Sequence, residues 1–265
     1  MPSSRLFTFA LALWAGFLLF PDEGRSADVD VALVLAVDIS NSMDPDEQAL
    51  QREGFVEAFR SPLVHQAIRT GILGRIAVTY VEWAASNNQH VVVPWTEMEG
   101  VEDAISFAEQ LARAPIRRAP RTSISGAIDF GVRLLQERQG HAVRQVIDIS
   151  GDGANNQGRK VTDARDEAVA KGFIINGLPL LLKRRTASAF EVENLDEHYR
   201  DCVIGGLGSF MMPVQERSQF AEAIRTKIIR EIAGREPAAR VIPAQVNRST
   251  NCSAVENPDW DRIPH

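Results

Sequence analysis

Residues 31–42 read VALVLAVDISNS, an apolar run from Val31 to Val37 that ends in Asp38-Ile39-Ser40-Asn41-Ser42. A run without polar interruption suits a strand covered on both faces, as in a parallel sheet. Its C-terminal end then carries one carboxylate and two hydroxyls in five residues. In open α/β sheets, ligands bind just beyond the carboxyl ends of the strands. Hard oxygen donors gathered there suit a hard divalent cation such as Mg²⁺, Mn²⁺ or Ca²⁺.

Outward from this strand, the chain alternates between strand-like and helix-like segments. Asp44-Pro45-Asp46-Glu47 is a helix start, with an acidic first turn and an early proline, and the helix ends near Ser61-Pro62. Residues 75–84 (RIAVTYVEWA) and 90–95 (HVVVPW) read as strands about an Asn87-Asn88 turn, and Pro94 suggests an edge position. Helices follow over 102–113 and 125–138, then a buried strand over 143–150 (VRQVIDIS) and Gly151-Asp152-Gly153. Further on come a helix over 162–171, a strand over 172–182 with a break at Gly177-Leu178-Pro179, and a mostly helical polar stretch over 186–200. Gly205-Gly206-Leu207-Gly208 lacks the strand-turn-helix spacing of a dinucleotide loop and reads as a tight turn beside Cys202. A short last strand is expected over 210–214 and a long helix over 218–233, with Phe220, Ile224, Ile228 and Ile232 four apart. This order predicts a three-layer, doubly wound α/β fold with a mostly parallel sheet.

Length and composition fit one large domain: 265 residues, 45% apolar and 24% charged, enough for a well-buried core. The net charge is −6, and the basic runs Arg117-Arg118 and Lys183-Arg184-Arg185 read as solvated loops, which argues against nucleic acid as a partner. Arg5, the uncharged apolar stretch 6–20, Pro21 and small residues around Ser26 have the anatomy of a secretory signal peptide. The stretch is short for a membrane span, although an uncleaved anchor is the alternative. We therefore expect a signal peptide over 1–26, one domain over 27–234, an extended Pro-rich tail over 235–265, and a periplasmic or secreted protein without a stable membrane span after processing. In an oxidising compartment the two cysteines, Cys202 and Cys252, read as one disulfide, with two buried thiols as the competing reading. Such a bond would tie the tail to the domain, away from the oxygen-rich strand end.

Three motifs in order resemble the von Willebrand factor A domain. Asp38-x-Ser40-x-Ser42 resembles the first piece of that family's metal-ion-dependent adhesion site. Thr122, followed five residues later by Ala127-Ile128, resembles the second. Asp152 in Ser150-Gly151-Asp152-Gly153 resembles the third, with Gly151 where the family usually has threonine. The resemblance spans residues 29–234. The segment Tyr199-Arg200-Asp201-Cys202-Val203-Ile204-Gly205-Gly206 is similar to an exported bacterial branch of uncharacterised function.

The resemblance implies a Rossmann-like von Willebrand factor A fold and a role for each residue. Ser40, Ser42 and Thr122 would bind a divalent cation through hydroxyls, with Mg²⁺ preferred and Mn²⁺ or Ca²⁺ as substitutes. Asp38 and Asp152 would stand behind them and hold waters or hydroxyls. A cation held by neutral oxygens keeps its charge and can recruit an Asp or Glu side chain of a protein partner. Taken singly, the motifs have plainer readings: Ser40 and Ser42 as turn residues, Thr122 as a helix cap, Asp152-Gly153 as a turn. A metal-dependent hydrolase and a scaffold with an unfilled site are the alternative functions. No histidine lies near the three motifs, and Glu82, the one other carboxylate in view, reads as a surface strand end.

Overall fold

A computed structural model of the chain describes residues 28–182 and 194–234, together with 251, 252 and 256. The signal-peptide region and most of the tail lie outside the described residues, as do residues 183–193 of the basic run and of the polar stretch.

The central strand β1 (Val29–Asp38) is buried along its whole length. Its apolar run hides a period of two. Val31, Leu33, Leu35 and Val37 face one core, while the smaller Ala32, Val34 and Ala36 face the other. The remaining strands are β2 (Ile76–Trp83), β3 (Gln89–Met98), β4 (Ala142–Gly151) and β5 (Ile174–Pro179). They form one sheet in the order β3-β2-β1-β4-β5. β1 pairs in parallel with β2 and β4, and β4 with β5, whereas β3 runs antiparallel at the edge. Pro94 lies in that edge strand, where the register shifts between Val78 and Tyr80, because proline donates nothing to the ladder.

Helices α1 (Pro45–Arg60), α2 (Pro62–Arg69), α3 (Val101–Arg113) and α7 (Phe220–Ala233) cover the face of Leu33 and Leu35. Helices α4 (Ile124–Glu137) and α5 (Val161–Ala170) cover the face of Ala32 and Ala36. A short α6 (Leu195–His198) and a π-turn (Tyr199–Val203) add Tyr199, Cys202 and Val203 to this second layer. The chain leaves β1 to cross one face and leaves β4 to cross the other, which makes the crevice at the ends of β1 and β4 the topological switch point.

The helix starts obey local chemistry. Asp44 and Glu47 form a capping box, with Pro45 in the first turn of α1. Ser61 caps α2, a helix the sequence reading missed although Val64, Ala67 and Ile68 share a buried face. The strand expected over 210–214 is not one. Met211 and Val214 make only isolated bridges to Gly177 and Leu180, and Pro213 between them has no N–H to give. Among the described residues no helix is long and apolar enough to cross a membrane.

The disulfide is present: Cys202 and Cys252 are joined with a Cα–Cα distance of 5.8 Å. The tail has a second attachment, because Glu256 accepts the Val161 N–H at 3.0 Å. The start of α5 has no cap of its own, so a tail carboxylate fills that role.

One buried ionic cluster fastens α7 to the sheet. Lys227 lies 2.5 Å from Asp148 of β4 and also pairs with Glu231, while Asn176 of β5 donates to Glu231 at 3.2 Å. Lys227, Asp148 and Glu231 are each about 1% exposed. Two carboxyls share one ammonium, so burial and then the charge of Asp148 push Glu231 up to about 7. Lys227→Met would remove the cation that the two acids share, and removing one partner of such a cluster costs about 3–5 kcal/mol. Urea unfolding should show that loss at pH 8 and a smaller one at pH 6, where the acids take up protons. A loss below about 1 kcal/mol at both pH values would show that the cluster does not hold α7.

Candidate metal centre at the ends of β1 and β4

Asp38 is the last residue of β1 and has no exposed surface. Its Oδ1 accepts the Ser40 N–H at 2.6 Å, which bends the chain directly after the strand. Its Oδ2 is buried and has no hydrogen-bond partner. Beyond the bend, the hydroxyls of Ser40 and Ser42 stand 2.7 Å apart, and Ser42 Oγ donates to Asp152 Oδ1 at 2.6 Å. A continuous line of oxygens thus runs from the end of β1 to the loop after β4.

Thr122 joins this line through backbone clamps. Its N–H donates to Asn156 Oδ1 and its carbonyl accepts the Asn156 N–H, both at 2.8 Å. A Cβ placed on Gly153 would lie 3.8 Å from Thr122 Oγ1, so the hydroxyl stands against the turn that carries Asp152. The cap of α4 is Ser123, whose Oγ accepts the Gly126 N–H at 3.2 Å. Thr122 is therefore not the helix cap, and its hydroxyl is free of that duty. On the other side, Ala119 bridges to Ser40: Asn41 N–H donates to the Ala119 carbonyl at 3.0 Å and Ala119 N–H to the Ile39 carbonyl at 3.1 Å. The first and third sequence motifs touch directly between Ser42 and Asp152, 110 residues apart, and Thr122 lies against the same turn. Asn155 holds the third loop, accepting from Ser125 N–H at 3.0 Å and donating to the Arg159 carbonyl at 3.0 Å.

The arginines near Thr122 are structural. Arg118 donates to the carbonyls of Asn41 (3.2 Å) and Met43 (2.8 Å). Arg117 reaches Glu82 at 3.4 Å, and Arg52 pairs with the same carboxylate while donating to the carbonyls of Leu111 and Ala114. This corrects two expectations. Glu82 is not a surface strand end, being 1% exposed and held by two guanidinium groups. Arg117-Arg118 is not simply a solvated loop, since both side chains brace the loop leading to Thr122. Arg121 adopts a left-handed φ of 74°, a conformation uncommon for a non-glycine residue, immediately before Thr122.

The electrostatics are those of a site short of positive charge. Burial and then the neighbouring Asp152 push the Asp38 carboxyl up to about 8, against the pull of the Ser40 N–H. Among the described residues no group of three His, Cys, Asp or Glu side chains could hold a metal, so a cation here would rest on hydroxyls. The donor set fits a hard cation: three hydroxyls, with two carboxylates behind them, one of which has an oxygen still to be satisfied.

Sequence reasoning missed Tyr199. Its ring is fully buried, and its hydroxyl has no partner. A Cβ on Gly151 would lie 2.9 Å from Asp38 Oδ2 and 3.1 Å from Tyr199 Oη. A Cβ on Gly177 would lie 2.7 Å from the Tyr199 ring. Gly177 is therefore required by this tyrosine, and Gly151 chiefly by Asp38 Oδ2, with Tyr199 Oη beside it. Burial and the nearby Asp38 keep its hydroxyl protonated, with its pKa well above the usual value. The disulfide is consequently nearer the site than its place in the sequence suggests, because Cys202 lies on the same π-turn as Tyr199.

The fold is that of von Willebrand factor A domains. Solved structures agree on the fold. Proximal thread matrix protein 1 from the mussel byssus, with a zinc-occupied MIDAS motif, is 13% identical, with a TM-score of 0.57 over 79% of this chain and 49% of that one. A von Willebrand factor type A protein from Catenulispora acidiphila is 12% identical, with a TM-score of 0.54 over 79% and 44%. The pilus adhesin SpaC from Lactobacillus rhamnosus GG is 12% identical, with a TM-score of 0.56 over 77% and 31%. This chain spans about half or less of the length of these structures. No curated protein sequence matches it. The chain belongs to the family described as Protein of unknown function (DUF1194), whose profile matches residues 28–236.

Between about pH 4 and pH 8 the folded protein keeps a proton on Asp38 that the unfolded chain has released. Its stability in chelator should therefore fall through this group as pH rises across that window. Asp38→Asn keeps an acceptor for the Ser40 N–H and should flatten the dependence, measured as melting temperature against pH. A variant profile parallel to that of the wild type would show that Asp38 is ionised throughout.

Proposed function

We propose that the protein is an exported, metal-ion-dependent binding module that captures an acidic group of a protein partner through a divalent cation. The observation that carries this reading is the line of oxygens from Ser40 and Ser42 to Asp152, closed by Thr122 and backed by the unpartnered oxygen of Asp38. Ser40, Ser42 and Thr122 would hold the cation, Mg²⁺ by preference, with Mn²⁺ or Ca²⁺ in its place. Asp38 and Asp152 would orient those hydroxyls. Neutral donors leave the bound cation electron-poor, and that is what would draw in an Asp or Glu of the partner. Export is supported by the signal-like N-terminus and by the Cys202–Cys252 bond. The same two features support periplasmic or secreted placement.

Binding is favoured over hydrolysis by the state of the nearby groups. A general base must be free to take a proton within reach of the substrate. Glu82 is occupied by Arg52 and Arg117, and His198 is fully buried among the side chains of the second layer. Ser42 is the exposed hydroxyl of the site, and its donor proton is directed to Asp152.

Calorimetric titration with Mg²⁺, Mn²⁺ and Ca²⁺ tests the reading. Wild type should bind at least one ion at or below millimolar concentration. Asp38→Ala and Thr122→Ala should abolish binding while the fold, followed by circular dichroism, persists. Ser40→Ala should bind less tightly, because water can replace one hydroxyl. Capture of a partner from periplasmic extract should be lost with chelator and in Thr122→Ala. Equal capture in all conditions would exclude a cation-dependent contact.

A further inference from the structure

Gly151 occupies the position where the third motif of this class usually supplies a threonine hydroxyl. The structure gives a physical reason for the exchange. The space a side chain at 151 would need is already taken by Asp38 Oδ2, 2.9 Å from the would-be Cβ, and by Tyr199 Oη, 3.1 Å from it. The two oxygens thus look onto the same patch of backbone. Each is fully buried, and neither has a hydrogen-bond partner. An unpaired buried hydroxyl and an unpaired buried carboxylate oxygen are each unfavourable by a few kcal/mol, so two such groups side by side call for one another or for a shared water.

Tyr199 is delivered there by a rigid arrangement. Its ring lies over Gly177 of β5, where any side chain would collide at 2.7 Å. Its π-turn is fixed by the Cys202–Cys252 bond and by Arg165, which donates to the Asp201 carbonyl at 2.8 Å. Gly151, Gly177 and the disulfide all serve to bring one phenol to the back of the oxygen site.

We propose that the Tyr199 hydroxyl stands in for the hydroxyl lost at Gly151: it is the donor for Asp38 Oδ2 and fixes that carboxylate behind Ser40 and Ser42 when a divalent cation is held. Tyr199 is a positioning residue that touches neither cation nor partner. The inference rests on the metal reading of the site. It gives a role to a buried carboxylate oxygen and a buried phenol that otherwise have no partner, and to the glycine beneath the ring.

Titration of the full mature protein with Mn²⁺, read by calorimetry, tests it. Tyr199→Phe keeps the ring and removes only the hydroxyl, so its melting temperature in chelator should stay close to that of wild type. Its Mn²⁺ dissociation constant should rise about tenfold or more, as expected when a partner of a metal-orienting group is removed. Wild-type affinity in Tyr199→Phe would overturn the inference and leave the metal reading intact. A fall in melting temperature in chelator alongside the lost affinity would assign the effect to packing and also overturn it. Failure of wild type to bind Mn²⁺ would remove the metal reading and this inference together. Should Tyr199→Phe not fold, a crystal structure of wild type with Mn²⁺ decides: Tyr199 Oη should lie within about 3 Å of Asp38 Oδ2, and a separation beyond hydrogen-bond reach would contradict the proposal.

Discussion

A carboxylate at the end of the central strand has one oxygen held by the next turn and the other left without a donor in a place closed to water. Much of the upper rim of the domain is arranged around that fact. Asp38 sits at the switch point of the sheet, where the chains leaving β1 and β4 part to opposite faces. Its charge is disfavoured there by burial and by Asp152, hydrogen bonds from Ser40 and the Asp152 backbone offset this only in part, and among the described residues no cation pairs with it. A divalent cation among the neighbouring hydroxyls would relieve both.

The rim is rigid because three loops are zipped together by backbone bonds. Ile39 and Asn41 pair with Ala119, and Thr122 pairs with Asn156. Arginines fill the gaps between helices and loops. Arg52 links α1 to the end of α3 and to Glu82, while Arg118 ties the loop before Thr122 to the turn after β1. Hydroxyls positioned in this way lose little freedom on binding an ion, the condition for selective coordination by weak neutral donors. The same rigidity extends downward through the Lys227–Asp148–Glu231 cluster, which fixes α7 against β4 and β5.

The parts of this arrangement that a single strand or loop contains were legible in the sequence. The run 31–37 announced a doubly covered strand, Asp44 with Glu47 a capped helix, and Pro94 an edge strand. The five oxygen-bearing residues Asp38, Ser40, Ser42, Thr122 and Asp152 stood out as a set because three motifs in order resemble the von Willebrand factor A site, and the structure brings them to the ends of β1 and β4. What was not legible depends on side chains from distant segments. Glu82 is buried only because Arg52 and Arg117 neutralise it, and neither pairing has a spacing signal. Tyr199 comes to the backbone of Gly151, beside Asp38, from a π-turn and across Gly177, none of which marks the other in the chain. The last expected strand failed because Pro213 interrupts its hydrogen bonding, a local signal that was present and outweighed by the apolar character of Phe210, Met211 and Met212.

The account stands on where a cation sits and on which atoms hold it. Crystals grown with Mn²⁺ would show this directly through anomalous scattering. The account predicts one peak at the ends of β1 and β4, within about 2.0–2.4 Å of the hydroxyls of Ser40, Ser42 and Thr122, with Asp38 and Asp152 farther away and an open position toward solvent. A peak bound directly by the carboxylates of Asp38 and Asp152, or no peak at this crevice, would contradict it.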